Sequence, residues 1–169
     1  KQTHLQSSFW LFRAQIRRYF GIEGELPMED YFPYMDLATS HRLSPIDVVE
    51  GPTAPMVKVY RERDGEFSYD FSKWDRYLDR MNAGGANTVH LGFTHWMGRY
   101  FCGDRPSIID RATGKKSIPG HEFASKEHLD ALGDFLNAAA DHLKQRGEFY
   151  KCYIQPWDEP HGDGLQKSY

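Results

Sequence analysis

Three features of this chain predict an α/β fold, and more narrowly part of a (β/α)8 barrel of the TIM type. Short apolar runs alternate with longer stretches whose apolar residues recur at helical spacing, the order of a parallel sheet wrapped by helices. From the run at 56–60 to the run at 88–92 is about 30 residues, the length of one β-α-β unit. The final strand-like stretch, Tyr150-Lys151-Cys152-Tyr153-Ile154-Gln155, leads directly into Pro156-Trp157-Asp158-Glu159-Pro160. Barrels carry their reactive groups at such carboxyl ends of strands.

Taken in order, residues 1–8 are polar and read as a lead-in, and 9–20 mix apolar residues with Arg13, Arg17 and Arg18 without a clear period. Residues 26–42 read as a helix. Pro27 lies near the first turn, where its missing N–H costs nothing, Glu29 and Asp30 complement the dipole, and Tyr31, Met35 and Ala38 share a face. Pro33 is expected to delay or kink the first turn. Residues 56–60 suit a strand and 61–65 a charged turn. Ser72-Lys73-Trp74-Asp75 resembles a capping-box start, Trp74, Tyr77, Leu78 and Met81 form the apolar stripe, and Gly84-Gly85 supplies a left-handed stop. The strand at 88–92 holds His90, read as a barrel histidine with its hydrogen bonds satisfied.

Residues 93–124 then form a βα connection far longer than the usual 2–6 residues. On the barrel reading this long loop lies on the catalytic face, with His95, Trp96 and Tyr100 near its start. Ser125 caps a helix running to about 146, with Leu129, Leu132, Leu136, Ala139 and Leu143 as its buried stripe and Gly147 after it. The strands at 56–60, 88–92 and 150–155 are expected to be parallel neighbours in one sheet.

Composition bounds the function. The 169 residues suit one domain, read as a partial barrel over 1–169, but a complete eight-fold barrel typically takes about 250. About four β/α units are therefore present, and a further chain or another subunit is needed to close the sheet. A mean hydropathy of −0.69 and the absence of a long apolar run predict no membrane span. Net charge −3 and a pI near 6.2 give no electrostatic footprint for nucleic acid. Cys102 and Cys152 show no CxxC or zinc spacing, and His95, His161 and Asp163 match no metal motif, so neither a metal nor a cofactor is expected. Aromatics make up 15% of the chain, a content that suits sugar stacking as well as core. No signal peptide is visible, and the first residue is Lys1 rather than Met, as in a processed chain or an excerpt.

Glycosidic hydrolysis needs an acid for the leaving oxygen and a nucleophile or base for the oxocarbenium-like carbon. Asp158 and Glu159 are sequence neighbours and cannot easily flank a sugar ring from opposite sides, which argues against an inverting pair made of these two alone. A substrate with a 2-acetamido group removes the difficulty, because its own carbonyl oxygen can be the nucleophile.

The stretches "YMDLATSHRLSP", "YDFSKWDRYLDRMNAGGANTVHLG" and "LGDFLNAAADHLKQRGEFYKCYIQPWDEP" together resemble glycoside hydrolase family 123 and its DUF4091-type relatives. The pattern is an Asp-Phe-Ser start, a Tyr-Leu-Asp helix, a helix ending in Lys-x-x-Gly and a strand ending in Asp-Glu-Pro, and it runs from about Trp10 to Asp163. The resemblance implies a terminal β-linked N-acetylgalactosamine of a glycan or glycoconjugate as substrate. It assigns Asp158 to the acetamido N–H and the oxazolinium, and Glu159 to general acid/base work. Trp157, Trp96, Tyr100, His95 and His161 are the substrate-binding candidates, and a secreted or periplasmic location is expected. Two alternatives fit the same residues. One is a retaining glycosidase with Glu159 as acid/base and its nucleophile outside this chain. The other is a non-catalytic carbohydrate-binding or structural barrel piece.

Overall fold

The computed structural model describes residues 7, 9–11, 13–24, 26–46, 56–93, 108–117 and 125–155. They form a mixed α/β structure. Its order is β1 (Phe9–Trp10), α1 (Arg13–Tyr19), α2 (Met28–Ser40), β2 (Pro45–Ile46), β3 (Lys58–Arg61), β4 (Phe67–Asp70), α3 (Ser72–Ala83), β5 (Val89–Phe93), β6 (Ile108–Asp110), β7 (Lys116–Ser117), α4 (Lys126–Gln145) and β8 (Cys152–Gln155).

The helices follow their apolar spacing. α2 buries Met28, Tyr31, Met35, Ala38 and Thr39, and Pro33 does not delay its start. α3 buries the expected Trp74, Tyr77, Leu78 and Met81. Its first turn is held differently from expectation: the Asp70 carboxylate accepts from the Ser72 N–H at 2.9 Å, and no side chain caps from the N-cap position itself. α4 starts as expected, with the Ser125 hydroxyl accepting from the His128 N–H at 3.2 Å. Its stripe is rotated, however. His128, Ala131, Leu132, Phe135, Ala139 and Leu143 are buried, whereas Leu129 is 54% exposed. The helix turns its His128 edge inward, and Leu129, about 100° further round, faces water.

Each of α1 to α4 ends with one device. A residue with left-handed backbone follows the last turn, and the next N–H reaches back five residues. The pairs are Gly21 with Ile22 to Arg17, Arg42 with Leu43 to Ala38, Gly85 with Ala86 to Met81, and Gly147 with Glu148 to Leu143. Arg42 takes the place of a glycine at φ 62. In the Gly84-Gly85 pair only Gly85 has a positive φ. Gly84 is needed for space instead, because a Cβ there would fall inside van der Waals contact of the Thr39 side chain of α2. Gly84→Ala should therefore cost about 1–3 kcal/mol in chemical unfolding, the usual range for overpacking. An unchanged midpoint would show that α2 yields at no cost.

The strands correct the expected pairing. β5 and β8 are parallel neighbours, as expected of 88–92 and 150–155, although the first part of the latter is a 3-10 turn over Phe149–Lys151. The strand at 56–60 does not join them. It appears as β3, antiparallel to β4 and parallel to β6, in a sheet of order β4-β3-β6-β7. The 93–124 stretch is likewise not all loop, since it contains the β6–β7 hairpin, closed where the Asp110 carboxylate accepts from Thr113 N–H and Oγ1, both at 2.7 Å. The parallel partner of β1 is β2, in register Phe9↔Pro45 and Trp10↔Ile46.

The strand starts are laced together. The Asn87 Oδ1, just before β5, accepts from the Ser44 hydroxyl just before β2 at 3.1 Å and from the Ser7 N–H at 3.3 Å. The Thr88 hydroxyl donates to Ser7 O at 2.8 Å. β1, β2 and β5 thus set out from one network. The core over them joins Tyr31 and Met35 of α2, Trp74, Leu78 and Met81 of α3, Val89 of β5, and Phe135, Ala139 and Leu143 of α4.

The other sheet is held by Tyr69, whose ring lies 5.7 Å from that of Phe135. Burial, with the negative charge of Asp134 behind it, pushes the Tyr69 phenol up to about 12 from 10.0. A raised pKa stabilises the fold below the unfolded value and is lost as pH rises through the folded one. Stability should therefore fall between pH of about 10 and about 12, and Tyr69→Phe should flatten that part of an alkaline denaturation curve.

Candidate active site

β8 ends at Gln155, three residues before Asp158, and β5 ends at Phe93, two residues before His95. Phe93 and Gln155 are register partners in a parallel pair. The chain segments carrying the two acids and the first aromatic candidates therefore leave the sheet from adjacent positions on the same edge. Asp158, Glu159, Trp157, Trp96, Tyr100, His95 and His161 themselves lie outside the described residues, as does any approach of Trp96 or Tyr100 to the carboxylates.

What supports that edge is well defined. Val89 and Cys152 are paired, and both pack on the helical core. Alternation along the strands turns His90 and Tyr153, the next pair, to the opposite face, where their rings stand 5.1 Å apart at 44°. Burial pushes the Cys152 thiol up, which favours its protonated form at neutral pH.

Below the other end of β8, a polar cluster ties α4 to α3. Arg146 Nη1 reaches Asp75 at 3.0 Å, and its Nη2 reaches Asp79 at 2.5 Å and Glu148 at 3.1 Å. His142 meets Asp75 at 2.6 Å and stacks on Phe71 at 4.3 Å. Asn82 donates to Glu148 at 2.7 Å and accepts from Lys151 at 2.8 Å, one residue before β8 begins. The cluster fixes where β8 enters the sheet, and so where its far end emerges.

Sequence reasoning missed two features near the strand ends. Tyr153 went unremarked, because its partner His90 is set by a pairing between distant segments. Arg13, three residues after β1, is 1% exposed, lies 5.8 Å from the centre of the Tyr31 ring and donates to Met28 Sδ at 3.8 Å. A helical period that includes Arg13 as an inward position would have been the only signal. Among the described residues no group of three His, Cys, Asp or Glu could hold a metal, and no helix is long and apolar enough to cross a membrane.

The family model described as "Glycoside hydrolase 123, catalytic domain" matches residues 33–168. A solved family 123 glycoside hydrolase from Clostridium perfringens, whose structure was analysed for glycolipid glycan hydrolysis, aligns with a TM-score of 0.68 at 20% identity. The alignment covers 96% of this chain and 31% of that one, so the chain spans about a third of that protein's length. At this identity the likeness is one of fold. No curated protein matches the chain.

Proposed function

This chain belongs to glycoside hydrolase family 123, and from that premise we propose that it is the acid-bearing part of a catalytic (β/α)8 domain that removes terminal β-linked N-acetylgalactosamine. β1, β2, β5 and β8 are then four successive barrel strands, with α2, α3 and α4 on the outside and the remaining strands supplied by further chain or another subunit. The reading extends over residues 1–169, and it places the protein in a secreted or periplasmic setting where glycans or glycoconjugates are met. The observation that carries it is the position of Asp158-Glu159, inside the matched range and directly after a strand that runs parallel to its neighbour. The glycolipid glycan chemistry of the structural relative is of the same class.

The mechanism is substrate-assisted. The acetamido carbonyl oxygen attacks the anomeric carbon while Glu159 gives its proton to the leaving oxygen, so the glycosidic C–O bond breaks as the oxazolinium ring closes. Asp158 accepts the acetamido N–H and its negative charge stabilises the ring cation. The Glu159 carboxylate then takes a proton from water, whose oxygen opens the ring and returns the sugar with retained configuration. This division requires Glu159 protonated beside an ionised Asp158; close like charge raises one of two neighbouring carboxyl pKa values, and the assignment gives that higher value to Glu159.

Comparison of substrates tests the reading. Aryl β-N-acetylgalactosaminides should be cleaved by the intact protein, and the corresponding galactosides, which lack the internal nucleophile, left nearly untouched. A thiazoline mimic of the oxazoline should inhibit strongly, as intermediate-like ligands do. Equal hydrolysis of galactosides would point instead to a carboxylate nucleophile elsewhere in the protein.

A further inference from the structure

The helix layer is laced by charge between its members and left apolar at both ends. α3 lies between α2 and α4. Arg76 pairs with Glu29 and Arg80 with Asp36 on one side, and His142 and Arg146 meet Asp75 on the other. The flanks that point away from α3 are of another kind. At 3.6 residues per turn, Tyr34 and Leu37 lie about 150° round α2 from the edge of Glu29, Phe32 and Asp36 that meets α3. Leu37 is 61% exposed, and Phe20, 57% exposed, brings its ring to 6.5 Å from that of Tyr34.

α4 carries the longer of the two flanks. Leu129, Gly133, Leu136 and Ala140 recur at steps of four, three and four, so they form one ridge. It lies about 150° round the helix from His142, the residue that meets Asp75 of α3. Leu129 is 54% exposed, Leu136 is partly buried, and a Cβ on Gly133 would meet nothing within 4 Å. A single exposed leucine is ordinary on a protein surface. Four apolar positions along one ridge, with a glycine among them, are the pattern of a face that another helix approaches closely.

Chain order says which helix that is. α2, α3 and α4 follow one another in sequence and stand side by side in the same order, and α4 joins the parallel strands β5 and β8. Connections between parallel strands turn right-handed in nearly all cases, so each new helix lands on the far side of the one before it. For the connection that leaves β8, that far side is the free flank of α4.

We propose that the ridge Leu129-Gly133-Leu136-Ala140 is the seat of an amphipathic helix of the same domain, the one that carries the chain from the acidic segment after β8 to the next strand. The inference rests on the barrel part of the proposed function. It does not rest on the sugar or on the roles of Asp158 and Glu159, so hydrolysis assays and the present test fail independently. In the intact protein, hydroxyl-radical labelling scaled to intrinsic reactivity should leave Leu129 and Leu136 protected, while Tyr150, 76% exposed, is labelled freely. Labelling of Leu129 in keeping with its 54% exposure overturns the proposal. Protection that is lost on dilution belongs to a second copy and overturns it too. Gly133→Gln adds a readout whose sign decides. On an open flank, replacing a mid-helix glycine raises stability, because glycine is a poor helix former. Beneath a seated helix the new side chain has no room, and the Tm of the intact protein should fall by about 2 °C or more. An unchanged or raised Tm overturns the proposal. Should Gly133→Gln fail to fold, labelling of the wild-type protein decides alone.

Discussion

Glu159→Gln is expected to lower kcat on aryl β-N-acetylgalactosaminides by about 10²–10⁴-fold, the usual size of a lost general acid. The loss should depend on the leaving group. A strongly acidic phenol departs with little protonation, so hydrolysis of its glycoside should recover toward wild type for the first, ring-closing step. Asp158→Asn should behave differently. It keeps the shape of the side chain but removes the charge that opposes the oxazolinium, a stabilisation needed for every leaving group, so a good phenol brings no rescue. Loss of one electrostatic stabiliser of this kind is worth about 10²–10³ in rate. The contrast between the two variants, measured as kcat across a series of phenols, is the decisive readout. Equal rescue of both, or of neither, would show that the two acids do not divide the work as assigned.

The assignment of the two acids rests on the sequence alone, since both lie outside the described residues. Asp158-Glu159 stand between Trp157 and Pro160 after an aromatic and β-branched run, and the adjacency alone restricts the chemistry open to them. The helices were legible for a different reason: Trp74, Tyr77, Leu78 and Met81 repeat at a local spacing that owes nothing to distant chain. α4 shows the limit of that reading. His128 counts as polar and Leu129 as apolar, yet the histidine is the one turned inward, because the fit against neighbouring elements fixes the helix rotation.

Strand pairing was less legible because it depends on partners far away. Residues 56–60 look more like a parallel strand than Pro45-Ile46 does, since two residues led by a proline make no pattern. The structure nevertheless pairs Pro45-Ile46 with Phe9-Trp10 in parallel and folds the longer run into a hairpin. The charged turn at 61–65 was the sign of that hairpin, with Gly65 at φ 93 and Asp64 accepting from the Glu66 N–H. The β6–β7 hairpin left no such trace, because strands of three and two residues are too short to alternate. The His90–Tyr153 pair was invisible for the same reason as the sheet register that creates it.

The largest stability effect in the described residues is expected at Arg146. Its side chain is 20% exposed and serves Asp75, Asp79 and Glu148. Burial works against its charge, but the hydrogen bonds it donates to Asp79 and Glu148 outweigh that and raise the Arg146 pKa. Glu148 is 7% exposed, and its Oε2 has no hydrogen-bond partner among the described residues. Arg146→Leu would therefore strand a buried carboxylate with Asn82 as its remaining donor among those residues. Removing one partner of a buried pair costs about 3–5 kcal/mol, and the partial exposure here favours the lower end. For a chain of this size that is a fall in Tm of about 6–12 °C. Arg80→Leu offers the control. Its pair with Asp36 is about half exposed on both sides, at 43% and 44%, and exposed pairs are worth only about 0–1 kcal/mol. Adding Glu148→Gln to Arg146→Leu should recover part of the loss, because the amide oxygen still accepts from Asn82 and no charge remains buried. Because Asn82 also holds Lys151, the single variant should loosen the entry to β8, and activity should fall further than the double variant's. Arg146→Leu and Arg80→Leu melting at the same temperature would show that the cluster is a solvated surface network rather than the lock that sets β8.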